Sequence, residues 1–453
     1  MTDQPNPPRH SQSQHQNQSQ PPTGRTIPDP GSSGNSGNYG NSGLGLAIAY
    51  VVAYLAMYVA LLTPIMSTLA VKVGDLVDAD GRVAALSLVM GVGAFFAFVA
   101  NPIAGALSDR TTSKMGMRRP WLIWGVLGGA VGLVLIALGT QLWQVIVGWA
   151  IAQGSFNGAQ AALQAILPDQ IAEKMRAKVS GWLGTAQNVA PLVGIGLAAW
   201  FSAAKLPTSL MIIVPAAIGV VGVLLLAFVL KDRQLPPSQC PPFHLGKFIK
   251  SFWVFSRANA DFTWAWLGRF FIFLAFASYN GYQVYFLQSR FDFNQTDALE
   301  WQLKLMVVQV IALTLAASLG GAISDKTGRR KIFVIVASVL AGVGLTIFAF
   351  AQSPELLYVA VVFWGLGFGA YLAVDLALVT DVLPQAETEA AKNMGVFNIA
   401  NALPQSLAPA IAPAFLAIGA TTTAPENYAS LFLIAAVFAI IGAATTMFIR
   451  GAR

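Results

Sequence analysis

From Leu44 onward the chain alternates long apolar runs with short polar turns. Twelve runs can be counted, at approximately 45–70, 83–107, 120–140, 142–167, 178–203, 208–230, 260–288, 301–323, 332–351, 355–380, 390–418 and 428–449. Crossing a hydrocarbon core of about 30 Å takes a helix of about 20 apolar residues, so each run predicts one spanning helix. Six runs lie on either side of a polar segment that holds Pro236, Pro237, Pro241 and Pro242, then Lys247, Lys250 and Arg257. The expected organisation is an all-α integral membrane protein: a polar tail over 1–44, a six-helix bundle over 45–230, a linker over 231–259 and a second six-helix bundle over 260–450. The tail is Gln, Ser, Pro, Gly and Asn with little apolar content, which predicts disorder and no cleaved signal. Residues 243–255 of the linker have the pattern of an amphipathic helix suited to anionic headgroups.

The two sets of six share a motif. NPIAGALSDRTTSKMGMRRP, at 101–120, returns in shorter form at 321–331 as GAISDKTGRRK. Asp109 and Asp325 are 216 residues apart, and a second pair of landmarks, Asp169 and Asp381, 212 apart, so the chain reads as a tandem duplication. Each copy joins an acid at a helix end to a pair of arginines at the next helix start. The expected role is a latch made by Asp109 with Arg110, Arg118 and Arg119, and by Asp325 with Lys326, Arg329 and Arg330, which releases as the bundle rocks. Gly105 and Gly321, four residues before each acid, would allow close helix approach. The competing reading is that these charges only set topology.

Composition confirms the solvent. With 55% hydrophobic and 10% charged residues, the chain has too much apolar surface for a water-soluble core. Of the 27 Lys and Arg, 21 fall in the tails and in the loops between even and odd helices. The positive-inside rule then predicts both termini on the cytoplasmic side of the plasma membrane. The net charge of +7 follows from that topology and gives no reason to invoke nucleic acid. Cys240 is the single cysteine, and no grouping of ligating residues suggests a metal or cofactor site. Enzyme signatures are lacking: no Ser-His-Asp elbow, HExxH, cysteine pair or phosphate-binding glycine loop occurs in a suitable context.

Polar residues inside the helices point to a solute. Tyr50, Tyr54 and Tyr58 recur every four residues on the first helix, where Tyr50 suits an interface anchor and Tyr54 and Tyr58 lie deeper. On the fourth, Gln153, Asn157, Gln160 and Gln164 form one stripe at offsets of four, seven and eleven. Carboxamides facing lipid are costly, so the stripe predicts either a cavity for a hydroxylated solute or glue between helices. The seventh helix packs Tyr279, Asn280, Tyr282, Gln283 and Tyr285 into two turns around Gly281, which would permit local unwinding. Two charges lie clearly inside spans, Arg269 in helix seven and Asp375 in helix ten, at similar depth. A pair that exchanges a proton and a static ion pair are both consistent with that placement.

The duplicated Gly-x-x-x-Asp-(Arg/Lys) loop ending in Arg-Arg, the twelve helices in two halves and the long central linker resemble the major facilitator superfamily over about residues 45 to 450. The longer first loop, SDRTTSKMGMRRP, resembles that of sucrose–proton symporters and the related glycoside-pentoside-hexuronide cation symporters, with Met117 in place of a further arginine. The resemblance implies the major facilitator fold, a cavity lined by helices one, four, seven and ten, and no cofactor. It puts Arg269 and Asp375 on cavity helices and Tyr54, Tyr58, Gln153, Asn157, Gln160, Gln164, Tyr279, Asn280 and Gln283 on substrate-binding ones. The acids that bind sodium in related symporters are on helices two and four, which have no interior carboxylate here, so the proton is the expected coupling ion. The expectation is a monomeric transporter in the lipid bilayer that moves a sugar or glycoside. Export of amphipathic, drug-like compounds is the alternative.

Overall fold

The computed structural model describes residues 44–240, 259–382, 386–421 and 426–450, and a helix occupies each of the twelve apolar runs. The expected disordered tail and the amphipathic 243–255 segment lie outside the described residues, as do the side chains of Asp325 and Asp381.

The first run is α1 (Leu44–Thr63), a π-turn at Pro64–Thr68 and α2 (Leu69–Gly74). Pro64 has no amide hydrogen to give, and the widened turn absorbs the defect without ending the span. Then come α3 (Arg82–Ser108), α4 (Arg119–Leu138), α5 (Leu142–Gln170), α6 (Glu173–Ala203) and α7 (Thr208–Val229). The second half holds α8 (Ala260–Asn280), α9 (Gln283–Phe291), α10 (Gln295–Thr327), α11 (Arg330–Phe350), α12 (Leu356–Asp381), α13 (Ala386–Leu416) and α14 (Tyr428–Met447). The seventh run breaks between α8 and α9 at Gly281 and Tyr282, where local unwinding was expected. α10 starts at Gln295, earlier than the expected 301, because the Asn294 side chain accepts from the Asp297 amide at 3.0 Å and caps the helix in water.

Among the described residues nine helices are long and apolar enough to cross a membrane. The longer and more polar α5 and α6 are held inside the first bundle, α5 between α3 and α4, α6 against α1. In the second half α12 packs between α10 and α11, and α14 between α8 and α11. The halves meet along α3 with α13 and α6 with α10. Hydrocarbon gives no hydrophobic drive between helices, so close packing has to hold them. At the α4–α5 crossing a side-chain carbon on Gly148 would sit 2.7 Å from the Gly132 carbonyl oxygen, a space only glycine leaves open. The expected close approach at Gly105 and Gly321 is not needed: an added methyl would meet Ala161 at 3.8 Å and Ala373 at 3.7 Å, ordinary contact distances.

A polar strap closes the first half at the motif end. The five extra residues of the first loop end in Gly116, whose φ of +105° favours glycine, and the turn leaves the start of α4 facing the chain that follows α7. There the Asp232 carboxylate accepts from the amides of Arg118 at 2.6 Å and Arg119 at 2.8 Å, which are the orphan donors at the start of α4. Met117 donates to the Arg233 carbonyl at 2.9 Å, and Gln234 to that of Lys114 at 2.6 Å. Burial pushes the Asp232 carboxyl above the usual carboxylate range, and the amides of Arg119, Arg118 and Arg233 pull it partly back. Asp232→Ala removes a helix cap supplied from another part of the chain. It should cost about 1–2 kcal/mol and lower the melting temperature of the detergent-purified protein, while Lys231→Ala next to it should leave the melting temperature where it was.

Candidate functional site

The amides of α5 become progressively more exposed along their stripe. Gln153 and Asn157 are buried, Gln160 is half-buried and Gln164, nearest the motif end, is exposed. Asn157 donates to the carbonyl and side-chain oxygens of Gln153 at 2.9 and 3.0 Å. Gln160 reaches across to α1, its Nε2 2.5 Å from the Tyr58 hydroxyl, which also accepts from Tyr54 at 3.2 Å. The Tyr54 and Tyr58 rings stack at 4.5 Å. The two stripes predicted on separate helices therefore form one hydrogen-bonded patch. Tyr50 is fully buried, its hydroxyl without a partner among the described residues, and is no interface anchor. Its ring meets the edge of Tyr54 because the four-residue period turns all three tyrosines inward.

The polar cluster around Gly281 divides. Tyr279 is buried in the second half among Phe348, Trp364 and Phe432, and its hydroxyl donates to Gln309 of α10 at 3.1 Å. The structure does not bring it to the α1–α5 patch. Asn280 spends its amide on the Phe276 carbonyl of its own helix. Gln283 accepts from Gln302 of α10 at 3.4 Å, and the same Gln302 nitrogen donates at 2.7 Å to the Met66 carbonyl in the π-turn.

Arg269 and Asp375, 106 residues apart, form a buried ion pair between α8 and α12. The other Asp375 oxygen accepts from Tyr371 at 2.7 Å, and the Arg269 guanidinium lies over the rings of Phe273 at 4.8 Å and Phe397 at 4.6 Å. A carboxylate bonded on both oxygens and a cation sandwiched between two ring faces compensate each other's burial. Tyr371 was missed by the sequence reading, although its place one turn before Asp375 is the signal that could have found it. Phe273 and Phe397 carried no signal, being two phenylalanines among 28.

At the motif end Arg118 is the hub of the first loop. It pairs with Asp109 at 2.7 Å and Asp169 at 3.0 Å and donates to the Ser108 hydroxyl at 2.7 Å. Its side chain is 8% exposed against 57% and 42% for the two acids, so the cation is the buried partner. The clamp thus joins the two landmarks of the repeat, Asp109 and Asp169, which sequence alone treated separately. Arg110 donates to the Ala106 carbonyl at 2.5 Å, and Arg119 contributes its backbone to the Asp232 strap. In the second copy Arg330 donates to the Ala377 carbonyl at 2.8 Å, and Lys326 and Arg329 are exposed. Their pairing with Asp325 lies outside the described residues.

The two ends differ. Side chains added at Gly181 or Gly184, on α6 near the motif end, would meet open space. At the opposite end hydrogen bonds stitch the halves together: Tyr285 to the Ala70 carbonyl at 2.8 Å, Arg82 to Gln288 at 3.3 Å, Ser87 with Tyr282 at 2.7 Å and Ser202 with Thr296 at 2.8 Å. Two apolar grooves of about 550 and 570 Å³ lie away from these polar groups, lined by Trp121 and Trp124 in one and Phe96 and Ile151 in the other.

A sequence model described as "Major Facilitator Superfamily" matches residues 46–409 and 297–452. Among characterised proteins, the tetracycline resistance protein, class H, of Pasteurella multocida is 25% identical over 282 residues, covering 62% of this chain and 66% of that protein. Inositol transporter 4 of Arabidopsis thaliana is 32% identical over 113 residues, covering 25% of this chain and 18% of that one. The alignments thus span less than two thirds of either relative. The crystal structure of the nucleoside transporter NupG superposes with a TM-score of 0.68 at 14% identity, over 91% of this chain and 99% of that one. An inward-facing, unoccupied bacterial homologue of the human lysosomal transporter Spinster gives 0.62 at 15%, over 92% and 99%. Twelve helices in two halves, a repeated acid–arginine loop motif and a family match over most of the length converge: this chain belongs to the major facilitator superfamily.

Proposed function

We propose that the protein is a secondary active transporter that moves a small hydroxylated solute, a sugar or glycoside, by alternating access with proton coupling. The observation that carries this reading is the patch joining α5 to α1, where amides that both donate and accept sit against stacked phenol rings. Neutral hydroxylated rings need that chemistry: ring faces for the apolar side of the solute and amides for its hydroxyls. The graded exposure of the α5 stripe favours a cavity opening toward the motif end over glue between helices. With the basic loops cytoplasmic, in a plasma-membrane monomer with both termini inside, this is an inward-open arrangement. The sucrose-symporter likeness of the first loop supports the sugar, as does a relative named for inositol.

A second reading is proton-driven export of an amphipathic compound, and the relative named for tetracycline resistance favours it. A thermal-shift screen of purified protein separates the two, since a ligand that binds the folded state raises its melting temperature. Sugars or glycosides should stabilise the parent and drive pH-dependent uptake into proteoliposomes, whereas stabilisation by amphipathic cations alone would favour the exporter. For the solute found, Gln160→Leu should raise half-saturation roughly tenfold to a hundredfold by leaving a hydroxyl unpaired. An unchanged value would move the site elsewhere.

In this reading the Arg118 clamp is the motif-end latch of the first half. Asp109→Asn or Asp169→Asn loosens one arm of a partly exposed pair and should slow transport by roughly two- to fivefold with membrane insertion intact. Parental rates in both variants would reduce these charges to topology signals.

The Arg269–Asp375 pair is the proposed coupling element: a proton on Asp375 would cancel the attraction between α8 and α12 and free the helices to shift. Replacing Asp375 alone would strand a buried guanidinium, so the informative variant is Asp375→Asn with Arg269→Gln. It should keep solute exchange and lose accumulation against a gradient. Full pH-driven accumulation in that double variant would leave the pair a static joint.

A further inference from the structure

The end opposite the motif loops holds a second ionisable cluster, on the seam between the halves and separate from Asp375. Its centre is Glu426, in the connection that leads from α13 to α14. One carboxylate oxygen, Oε2, accepts from the Tyr428 hydroxyl at 2.6 Å, and the other, Oε1, is buried with no partner among the described residues. Arg82, at the start of α3 in the other half, faces the cluster with its guanidinium over the Tyr285 ring at 4.7 Å and Nη1 on Gln288 at 3.3 Å, while its Nε is buried and likewise unpartnered. Tyr285 in turn donates to the Ala70 carbonyl at the end of the first span. A carboxylate and a guanidinium from opposite halves are thus half-buried near each other without a direct bond. A buried carboxylate oxygen that accepts nothing is costly as an anion and cheap once it carries a hydrogen.

We propose that Glu426 is a proton-binding site that fills as the halves close over this end. When they part, Glu426 meets water and behaves as an ordinary carboxyl. When they close, the proton comes from solvent at this end and lands on Oε1, since Oε2 is committed to Tyr428.

The groups facing Glu426 set the balance. Desolvation on closure raises its proton affinity above the usual carboxylate range, Asp80 raises it further, and the Tyr428 hydroxyl and Arg82 lower it. Tyr285 also lies within electrostatic reach of Glu426, and Asp75 acts on Tyr285 in turn. The closed form therefore binds the proton more tightly than the open one, and by linkage acid stabilises closure while alkali favours opening. The effect begins above the ordinary carboxylate range and grows as the pH falls through the raised value. In this proposal the proton enters and leaves at this end, so Glu426 biases the gate without carrying a proton across.

The test needs no solute, so its outcome is independent of the substrate assigned above, and it is run in an Asp375→Asn, Arg269→Gln background so that protonation of Asp375 contributes nothing to the pH response. Nitroxides are placed at Thr140→Cys and Gln352→Cys, exposed positions on corresponding loops of the two halves at this end, in a Cys240→Ser background in lipid nanodiscs. Spin–spin distances between pH 5 and 9 should show the short-distance population growing as pH falls. Glu426→Gln, permanently neutral, should hold that population high and abolish its pH dependence. Tyr428→Phe removes the hydrogen bond that favours the anion and should move the midpoint upward by roughly 0.5 to 1 pH unit. A parental pH response retained in Glu426→Gln, or an unmoved midpoint in Tyr428→Phe, would overturn the proposal.

Discussion

A polar group that enters hydrocarbon without a partner costs several kilocalories, and nearly every interior contact of this protein answers that cost. Asp375 is held by Arg269 and Tyr371 on its two oxygens. Lys72, in the last turn of the first span, caps the end of α4 by donating to the Ala137 carbonyl at 3.1 Å. Thr63, Ser87, Ser338 and Thr346 return their hydroxyls to carbonyls one turn back in their own helices. Other groups find a partner from another span at a helix crossing, as Gln160 does on Tyr58 and Tyr279 on Gln309. That is why the polar residues concentrate in patches and why the patches read as function.

The π-turn in the first span shows the same constraint at work on backbone. Pro64 disrupts the ladder, Ser67 bonds back to the Thr63 carbonyl at 3.2 Å, and the Met66 carbonyl is taken by Gln302 from the other half. A defect in one helix is thereby repaired across the seam, and the repair holds only while the halves are closed at this end. Tyr285 on the Ala70 carbonyl adds a second bond of the same kind one turn further along. Each is a hydrogen bond that water could replace were the seam to open.

Duplication supplied the frame and divergence filled it differently. The first loop gained residues that carry it to Asp232 and bury Arg118 between two acids. The shorter second loop leaves Arg329 exposed and sends Arg330 to a backbone carbonyl on α12. The interior charge pair belongs to the second half, and the amide and tyrosine patch to the first.

The sequence by itself determined the solvent, the twelve spans, the duplication and the residues that had to be turned inward, because each of these follows from counting apolar length and polar periodicity along one helix. It also marked Arg269 and Asp375, since charges at similar depth in hydrocarbon must find each other. The tertiary structure alone decided which helices supply the partners. Tyr279 looked like part of the recognition patch and is a core residue of the second half, because helix rotation, invisible to periodicity, aims it at Gln309. Asp232 and Glu426 gave no signal at all: one caps a helix that starts 113 residues earlier, and the other lies beside an arginine from the opposite half. Local patterns fix what a residue must avoid, whereas what it meets depends on how separate helices are packed, and that packing is not written in any single one of them.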